Sequence, residues 1–139
     1  MKSTPNAFVD TNILAYAAEE KTPRDRKTTV ARELLLLPRL CLSVQVLNEF
    51  VAIARNPAKL GFNREKESQW LAEWLRLPIL PLTTETFISS LEIHCRYGIS
   101  HWDSLIVAAA REARCLLIYS EDLSHGQDYD GVKVINPFL

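Results

Sequence analysis

The sequence has few cysteines, no long apolar run and almost no net charge, and each of these absences excludes a class of protein. The three cysteines, Cys41, Cys95 and Cys115, form no C-x-x-C pair, and Cys41 and Cys115 lie in apolar runs. This argues against a disulfide framework or a zinc site and predicts small buried side chains. No apolar run approaches the roughly 20 residues of a membrane-spanning helix, and residues 1–12 lack the apolar core of a signal peptide. We therefore expect a cytoplasmic protein without a membrane segment.

The net charge of −1 neither favours nor excludes nucleic acid as a partner, so the distribution of the charges matters more than their sum. Basic residues concentrate in two segments. The first contains Lys21, Arg24, Arg26, Lys27, Arg32 and Arg39, and the second contains Arg55, Lys59, Arg64 and Lys66. These residues either form solvated helix faces or follow the backbone of an RNA. The length and the lack of linkers and repeats predict a single domain over residues 1–139.

Short apolar runs alternate with longer segments of helical periodicity along the chain. Five runs have strand character, at residues 7–9, 40–43, 79–82, 115–119 and 132–135. Helical patterns cover residues 24–37, 44–55, 64–76, 84–97 and 102–113. Alternating strands and helices predict βαβ units and a parallel sheet. Because such sheets bind ligands beyond the carboxyl ends of their strands, polar residues at those ends are the first candidates for a site.

Three acidic residues are predicted to lie at this edge of the sheet. Asp10 directly follows the first strand, in FVDTNILAY, and Asp122 follows the fourth strand, in YSEDL. Asp103 lies in the first turn of the last predicted helix, which begins at the same edge because it leads into the fourth strand. Asp10 or Asn12 could instead cap a helix, and Asp122 could belong to a turn. Asp103 could complete a capping box that begins at Ser100.

The surroundings of Asp103 favour a functional role. From Trp102 to Ala110 only Asp103 and Ser104 interrupt the apolar residues, so this helix is predicted to be buried on nearly all sides. A buried carboxylate needs a partner, and neighbouring carboxylates raise one another's pKa values. A divalent cation removes this repulsion, and oxygen ligands suit Mg²⁺ or Mn²⁺ rather than zinc. Since Mg²⁺ usually meets a substrate phosphate, the pattern favours phosphoryl-transfer chemistry.

Four motifs together resemble those of PIN-domain ribonucleases, in the same order and spacing and over the whole chain. They are FVDTNILAY, VLNEF, SHWDSLIVAAA and YSEDL. The similarity is strongest to the short VapC-type toxins of bacterial toxin–antitoxin pairs. It implies an α/β protein with a three-layer α/β/α fold around a central, mostly parallel five-stranded sheet. It also implies an Mg²⁺-dependent endoribonuclease, with Mn²⁺ as the alternative metal, that binds a small antitoxin and forms a homodimer.

The resemblance also implies a catalytic quartet that binds the metal, consisting of Asp10, Glu49, Asp103 and Asp122. Asn12 and Ser120 would support this quartet through hydrogen bonds. The resemblance is the main reason to include Glu49, which lies about 8–9 Å along its helix from the sheet edge. Glu49 could also be a solvated helix position. Ser124 stands where many members of the family carry a further acid, a place that Asp128 or Asp130 could supply from the loop.

Two other functions remain open. Phosphatases with an aspartyl nucleophile after the first strand carry a second acid two residues later, where this chain has Asn12. A non-catalytic protein-binding module of the same fold would have no need to retain all four acids. A cleavage assay on cellular RNA in Mg²⁺ separates these functions from the nuclease.

Two aromatic features bear on partners. The helix at 64–76 carries an apolar stripe of Trp70, Leu71, Trp74 and Leu75. Most of this stripe is expected in the core of the domain, and part of it could form a groove for an amphipathic partner helix. Trp102 is expected to pack in the core rather than to stack on an RNA base.

Overall fold

The computed structural model describes residues 5–22 and 25–139, which form a sheet flanked by helices. The strands are β1 (Ala7–Val9), β2 (Leu40–Ser43), β3 (Ile79–Leu80), β4 (Leu117–Tyr119), β5 (Asp128–Tyr129) and β6 (Val132–Ile135). The helices are α1 (Thr11–Ala18), α2 (Arg26–Leu34), α3 (Val44–Arg55), α4 (Arg64–Trp74), α5 (Thr84–Tyr97) and α6 (His101–Glu112). The predicted α/β fold is confirmed. None of these helices is long and apolar enough to cross a membrane.

The sheet has the strand order β3-β2-β1-β4-β6-β5, and every neighbouring pair is parallel except β5 and β6. The predicted number of five strands is wrong, because β5 adds a sixth strand at the edge. Asp130 and Gly131 turn the chain between β5 and β6, with φ angles of 58° and 102°. Positive φ at both positions matches the tight turn that an Asp-Gly pair favours in a hairpin. The parallel part places the carboxyl ends of β1, β2 and β4 at one edge.

Side-chain caps decide where the helices begin. Asp10 and Ser43 accept hydrogen bonds from the backbone N–H groups of Thr11 and Val46, so β1 and β2 pass directly into α1 and α3. Asp25, Asn63, Thr83 and Ser100 cap the other four helices in the same way. A capping oxygen satisfies one of the N–H groups that the first turn of a helix leaves unpaired. Helices α1 and α3 therefore each start directly after a polar residue at the carboxyl end of a strand.

Several predicted boundaries differ from the structure. The helix predicted at 24–37 ends at Leu34, and its predicted first residue lies outside the described residues. The third strand stops at Leu80, because Pro81 has no N–H group to continue the ladder. The fourth strand starts at Leu117 rather than at residue 115, after the turn that ends α6.

The core lies between the sheet and the helices. Phe8, Ile118 and Val134 on the central strands are fully buried. Every residue of α6 from Ser104 to Ala110 is buried, which confirms the prediction of a helix enclosed on nearly all sides. Neighbouring strands and helices thus hold the start of α6 firmly at the sheet edge.

Two predicted burials are wrong. Trp102 is 63% exposed, because it precedes the enclosed segment of α6 and its ring packs edge-on against His101 at 5.3 Å. Cys95 is exposed, since it lies two residues, or roughly 200° around the helix, from the buried Ile93. In the apolar stripe of α4, Trp74 is 4% exposed, whereas Leu75 follows the helix and is 59% exposed.

Candidate active site

The structure brings Asp10 and the segment after β4 into direct contact at the sheet edge. Asp10 is 4% exposed, and its two oxygens accept hydrogen bonds from the Thr11 backbone N–H and the Ser120 hydroxyl, each at 2.7 Å. Ser120 directly follows β4, the parallel neighbour of β1. The parallel pairing thus explains how residues 110 positions apart meet.

Asn12 and Ser120 hold the loop that carries Asp122. The Asn12 amide donates to an oxygen of Asp122 at 3.1 Å and accepts from the Glu121 backbone N–H at 3.2 Å. The Ser120 oxygen accepts from the backbone N–H groups of Asp122 and Leu123 at 3.1 and 3.3 Å. Both residues therefore make hydrogen bonds to acids or backbone groups of the site, which is the kind of contact that the resemblance implies.

Glu49 also lies at this edge, although its place in the sequence gave little reason to expect it. One of its oxygens accepts from the Thr11 hydroxyl at 2.7 Å, and the other accepts from the Gln45 amide at 2.8 Å. The same amide donates to the backbone carbonyl of Trp102 at 3.0 Å. The packing of α3 against α1 brings Glu49 to the site. Gln45 and Thr11 are site residues that sequence reasoning missed, although Gln45 is one helical turn before Glu49.

Asp103 lies at the first turn of α6 and has a half-buried environment. Its backbone N–H donates to the Ser100 hydroxyl at 3.1 Å, so the predicted role of Ser100 at the helix start is present. Burial raises the pKa of the Asp103 carboxyl, and the charges of Asp122 and Glu49 raise it further, against the lowering effect of Ser100. Asp103 is therefore near enough to the other acids to interact with their charges.

Within the described parts of the chain, the hydrogen-bond partners of the acids at the site do not neutralise their charge. Burial raises the pKa of Asp10 to about 7, although hydrogen bonds from Ser120 and Thr11 favour its charged form. The charges of Glu49 and Asp122 raise this pKa as well. The hydrogen-bond partners of these three acids are hydroxyl, amide and backbone N–H groups, which are neutral. A cation at the site would relieve this electrostatic cost.

The acidic side chains at the site offer oxygen atoms as donors to a metal ion. Within residues 5–22 and 25–139, no group of three or more His, Cys, Asp and Glu side chains already has an arrangement that could hold a metal. Mg²⁺, however, keeps several waters and is commonly bound through only one or two carboxylates. Oxygen donors of uncompensated charge fit Mg²⁺ or Mn²⁺ by their chemistry.

A second network beside the site was not predicted. The Tyr16 hydroxyl donates to Glu121 at 2.7 Å, and the Lys27 ammonium pairs with the other oxygen of Glu121 at 2.5 Å. Burial favours the neutral form of Glu121, but hydrogen bonds from Lys27 and Tyr16 outweigh it and lower its pKa. Since Glu121 precedes Asp122, this network ties α1 and α2 to the loop that carries an acid of the site. No spacing in the sequence signals it.

Asp128 and Asp130 have other partners than the quartet. Asp130 pairs with Arg96 at 3.2 Å and with Arg111 at 2.7 Å. Asp128 accepts a hydrogen bond from the Gly131 backbone N–H at 2.7 Å within the β5–β6 turn. The idea that either residue supplies a fifth carboxylate is therefore wrong for this structure.

Comparisons with known proteins agree with this architecture. The family model of the PIN domain matches residues 7–126. No curated protein has a significant sequence match to the chain.

Among solved structures, the chain is similar to a toxin–antitoxin complex from Klebsiella pneumoniae, with 18% identity and a TM-score of 0.71 over 95% of this chain and 98% of that chain. It is similar to VapC20 of Mycobacterium tuberculosis, a sarcin-ricin loop cleaving toxin, with 19% identity and a TM-score of 0.68 over 84% of this chain and 90% of that chain. It is also similar to DNA-bound VapBC from Salmonella typhimurium, with 21% identity and a TM-score of 0.67 over 94% and 96% of the two chains. At these identities the similarities show a shared fold.

The family match includes all four motifs that suggested the resemblance. Asp10, Glu49, Asp103 and Asp122 all lie within residues 7–126. The match spans most of the chain, and the solved structures share its fold along most of their own lengths. The chain belongs to the PIN-domain family.

Proposed function

We propose that this protein is an Mg²⁺-dependent endoribonuclease and the toxin of a toxin–antitoxin pair. The observation that carries the proposal is the meeting of acids from four separate segments at one edge of the sheet, with Asp10 buried and its pKa raised to about 7. RNA is the proposed substrate because VapC20, which shares this fold, is a toxin that cleaves the sarcin-ricin loop.

Four carboxylates would hold the divalent cation, Mg²⁺ or Mn²⁺: Asp10, Glu49, Asp103 and Asp122. A divalent cation held by these residues would supply Lewis-acid chemistry, namely activation of a water toward a phosphodiester and stabilisation of the charge that develops. The chain itself provides orientation, because Ser120 and Asn12 hold Asp10 and Asp122 by hydrogen bonds at 2.7 and 3.1 Å. Partners of this kind typically change metal affinity or activity about 10–100-fold when removed.

A cleavage assay on mixed cellular RNA tests the enzyme. The parent should cut in Mg²⁺ and stop in EDTA, and Asp10→Asn or Asp103→Asn should each lower the rate by more than about 100-fold. Asp128→Asn is the matched control, because the exposed Asp128 carboxylate accepts a hydrogen bond from the Gly131 N–H within its own turn and lies outside the quartet. Cleavage that persists in EDTA, or at the parent rate in both Asn variants, would overturn the quartet assignment.

The proposed antitoxin has a candidate docking site on the structure. A groove of about 520 Å³ is lined by Ala17, Arg32, Leu35, Leu36, Trp70, Glu73, Trp74, Arg76 and Leu77. Trp74 is 4% exposed and packs edge-on against Phe50, so it belongs mainly to the core, as predicted. Trp70 stacks on Trp74 at 5.3 Å and lines the groove, whose combination of apolar and charged residues suits an amphipathic helix. Several similar structures are VapBC complexes, which supports a protein partner.

Co-expression with the adjacent small open reading frame tests the partner. A small protein should co-purify on a tag carried by this chain, and expression of this chain alone should slow growth. If neither occurs, the toxin role fails while the nuclease assay still decides the enzyme. We also propose a homodimer in the cytoplasm, and a light-scattering mass equal to one chain would refute the dimer.

A further inference from the structure

A cleft of about 490 Å³ opens beside the acidic quartet. It is lined by Thr11, Asn12, Ala15, Tyr16, Glu19, Glu49, Ile53, Ala58, Lys59, Leu60, Glu121 and Asp122. Its volume falls in the range of small-ligand pockets, which is roughly 300–1,000 Å³. Two quartet members line the cleft, and Ala15, Ile53 and Leu60 give it an apolar surface. The cleft therefore adjoins the place where the proposed reaction occurs and has room for part of a substrate.

The charges around this cleft are unequal. Its described lining contains four acids, Glu19, Glu49, Glu121 and Asp122, and one basic residue, Lys59. A polyanion such as RNA is repelled by carboxylates, so a strand that enters the cleft needs a cation on its wall. Glu121 is already paired with Lys27, and this ion pair offsets the negative charge of Glu121 alone. Lys59 is therefore positioned to attract a phosphate into the cleft.

Lys59 is also available for a ligand, unlike Arg55 and Lys66 of the same basic segment. Arg55 pairs with Glu67 at 2.6 Å, and Lys66 pairs with Glu20 at 3.3 Å. The exposed Lys59 ammonium has no ion pair or hydrogen bond to any residue in the described parts of the chain. Of this basic segment, Lys59 thus combines a place in the cleft with an uncommitted charge.

The backbone holds Lys59 in place before any ligand arrives. The backbone N–H groups of Lys59 and Gly61 donate to the Asn56 carbonyl at 2.9 and 3.0 Å. Gly61 has a φ of 59°, a conformation that glycine adopts without strain and that closes this turn. Leu60 is 6% exposed and anchors the loop in the core. A rigid loop loses little conformational entropy when its lysine binds a phosphate.

We propose that Lys59 binds a phosphate of the RNA strand next to the one that is cut, so that the cleft is a subsite for one nucleotide. The sugar and base lie against Ala15 and Ile53, and the backbone passes from Lys59 to the quartet. This inference rests on the proposed nuclease function. It assigns to Lys59 a substrate-positioning role that acts on binding and leaves the chemical step to the acids.

Steady-state cleavage of a single-stranded oligoribonucleotide in Mg²⁺ tests the subsite. Lys59→Met should raise KM about tenfold, the size expected for one charge-assisted hydrogen bond, with kcat within about twofold of the parent. Lys59→Arg should restore KM. The slope of log affinity against log salt should become shallower by about 0.7 for one lost phosphate contact on a single strand. Lys66→Met is the matched control, because Lys66 is a lysine of the same basic segment with its own partner, Glu20.

The possible results distinguish a failure of the Lys59 subsite from a failure of the proposed nuclease function. If the parent cuts RNA but Lys59→Met keeps the parent's KM and salt slope, the subsite is refuted and the nuclease remains. An equal rise of KM in Lys66→Met would reveal general surface attraction and would also refute it. A loss of kcat alone in Lys59→Met would contradict a binding role. If the parent neither binds nor cuts RNA in Mg²⁺, the nuclease function itself fails.

Discussion

Replacing Asp10 by asparagine should stabilise the metal-free protein, and the gain should grow as the pH rises. Burial raises the pKa of Asp10 from 3.8 to about 7, against hydrogen bonds from Ser120 and Thr11. The unfolded chain therefore releases this proton near pH 4, whereas the folded protein retains it to about pH 7. Between these values the unfolded state binds fewer protons, so the free energy of unfolding falls as the pH rises.

The size of this effect follows from the width of the window. The pKa values of Asp10 in the unfolded and folded states differ by about three units, and each unit corresponds to about 1.4 kcal/mol. Ionisation of Asp10 therefore removes about 4 kcal/mol of stability by pH 8. Asparagine has nearly the same shape and can still accept from the Thr11 N–H. Its amide hydrogens would face the Ser120 hydroxyl, which already accepts two backbone N–H groups, at a cost of about 1 kcal/mol. Asp10→Asn should thus be about 3 kcal/mol more stable than the parent at pH 8 and about equal at pH 5.

Urea denaturation followed by circular dichroism in EDTA, at pH 5 and pH 8, measures this difference. Asp128→Asn is the control, because the Asp128 carboxylate is exposed and accepts a hydrogen bond from the Gly131 N–H, so this variant should give no pH-dependent difference. Added Mg²⁺ should stabilise the parent by mass action and the Asp10→Asn variant less. A stability difference that is the same at both pH values, or a less stable variant at pH 8, would refute the reasoning.

Asp103→Asn should raise the metal-free melting temperature, because burial and the charges of Asp122 and Glu49 raise the pKa of Asp103. Equal Mg²⁺ shifts of melting temperature in parent and variant would leave Asp103 without a metal role. Lys27 pairs with Glu121 and so helps to hold the loop that carries Asp122. Lys27→Met should therefore raise the Mg²⁺ concentration for half-maximal cleavage about tenfold, and Lys27→Arg should restore the parent value. An unchanged Mg²⁺ dependence in Lys27→Met would contradict this role. Trp70→Ala should prevent antitoxin co-purification while RNA cleavage continues, and a retained complex would place the antitoxin elsewhere.

Local patterns in the sequence were sufficient to locate Asp10 and Asp122 at one edge. An apolar run of strand length followed directly by an acid needs only local physics to interpret, and parallel neighbours bring their ends together. The hydrogen bond from Ser120 to Asp10 at 2.7 Å shows that this geometry is correct. The burial of α6 was predictable for a similar reason, because its composition leaves no polar face.

The apolar periodicity of the sequence did not reveal the β5–β6 hairpin or the buried side of α3. The Asp130-Gly131 pair indicates a hairpin turn, and the structure forms β5 and β6 around it. The sequence does not identify the buried side of α3, because most of its positions are apolar and several faces fit the same helical period. Only the packing of Phe50 and Ala54 against the rest of the core selects one face.

The sequence by itself determined the alternation of strands and helices and the resemblance to PIN-domain proteins. It also determined the edge of the sheet at which Asp10, Asp103 and Asp122 lie. These follow from residue periodicity and chain connectivity, which act over short distances along the chain. Only the tertiary structure decided that Glu49 reaches Thr11, 38 residues away, and that Lys27 reaches Glu121, 94 residues away. It also decided that Lys59 faces the cleft while Arg55 and Lys66 are paired. Helix packing angles and side-chain reach set these contacts, and no sequence spacing encodes either quantity.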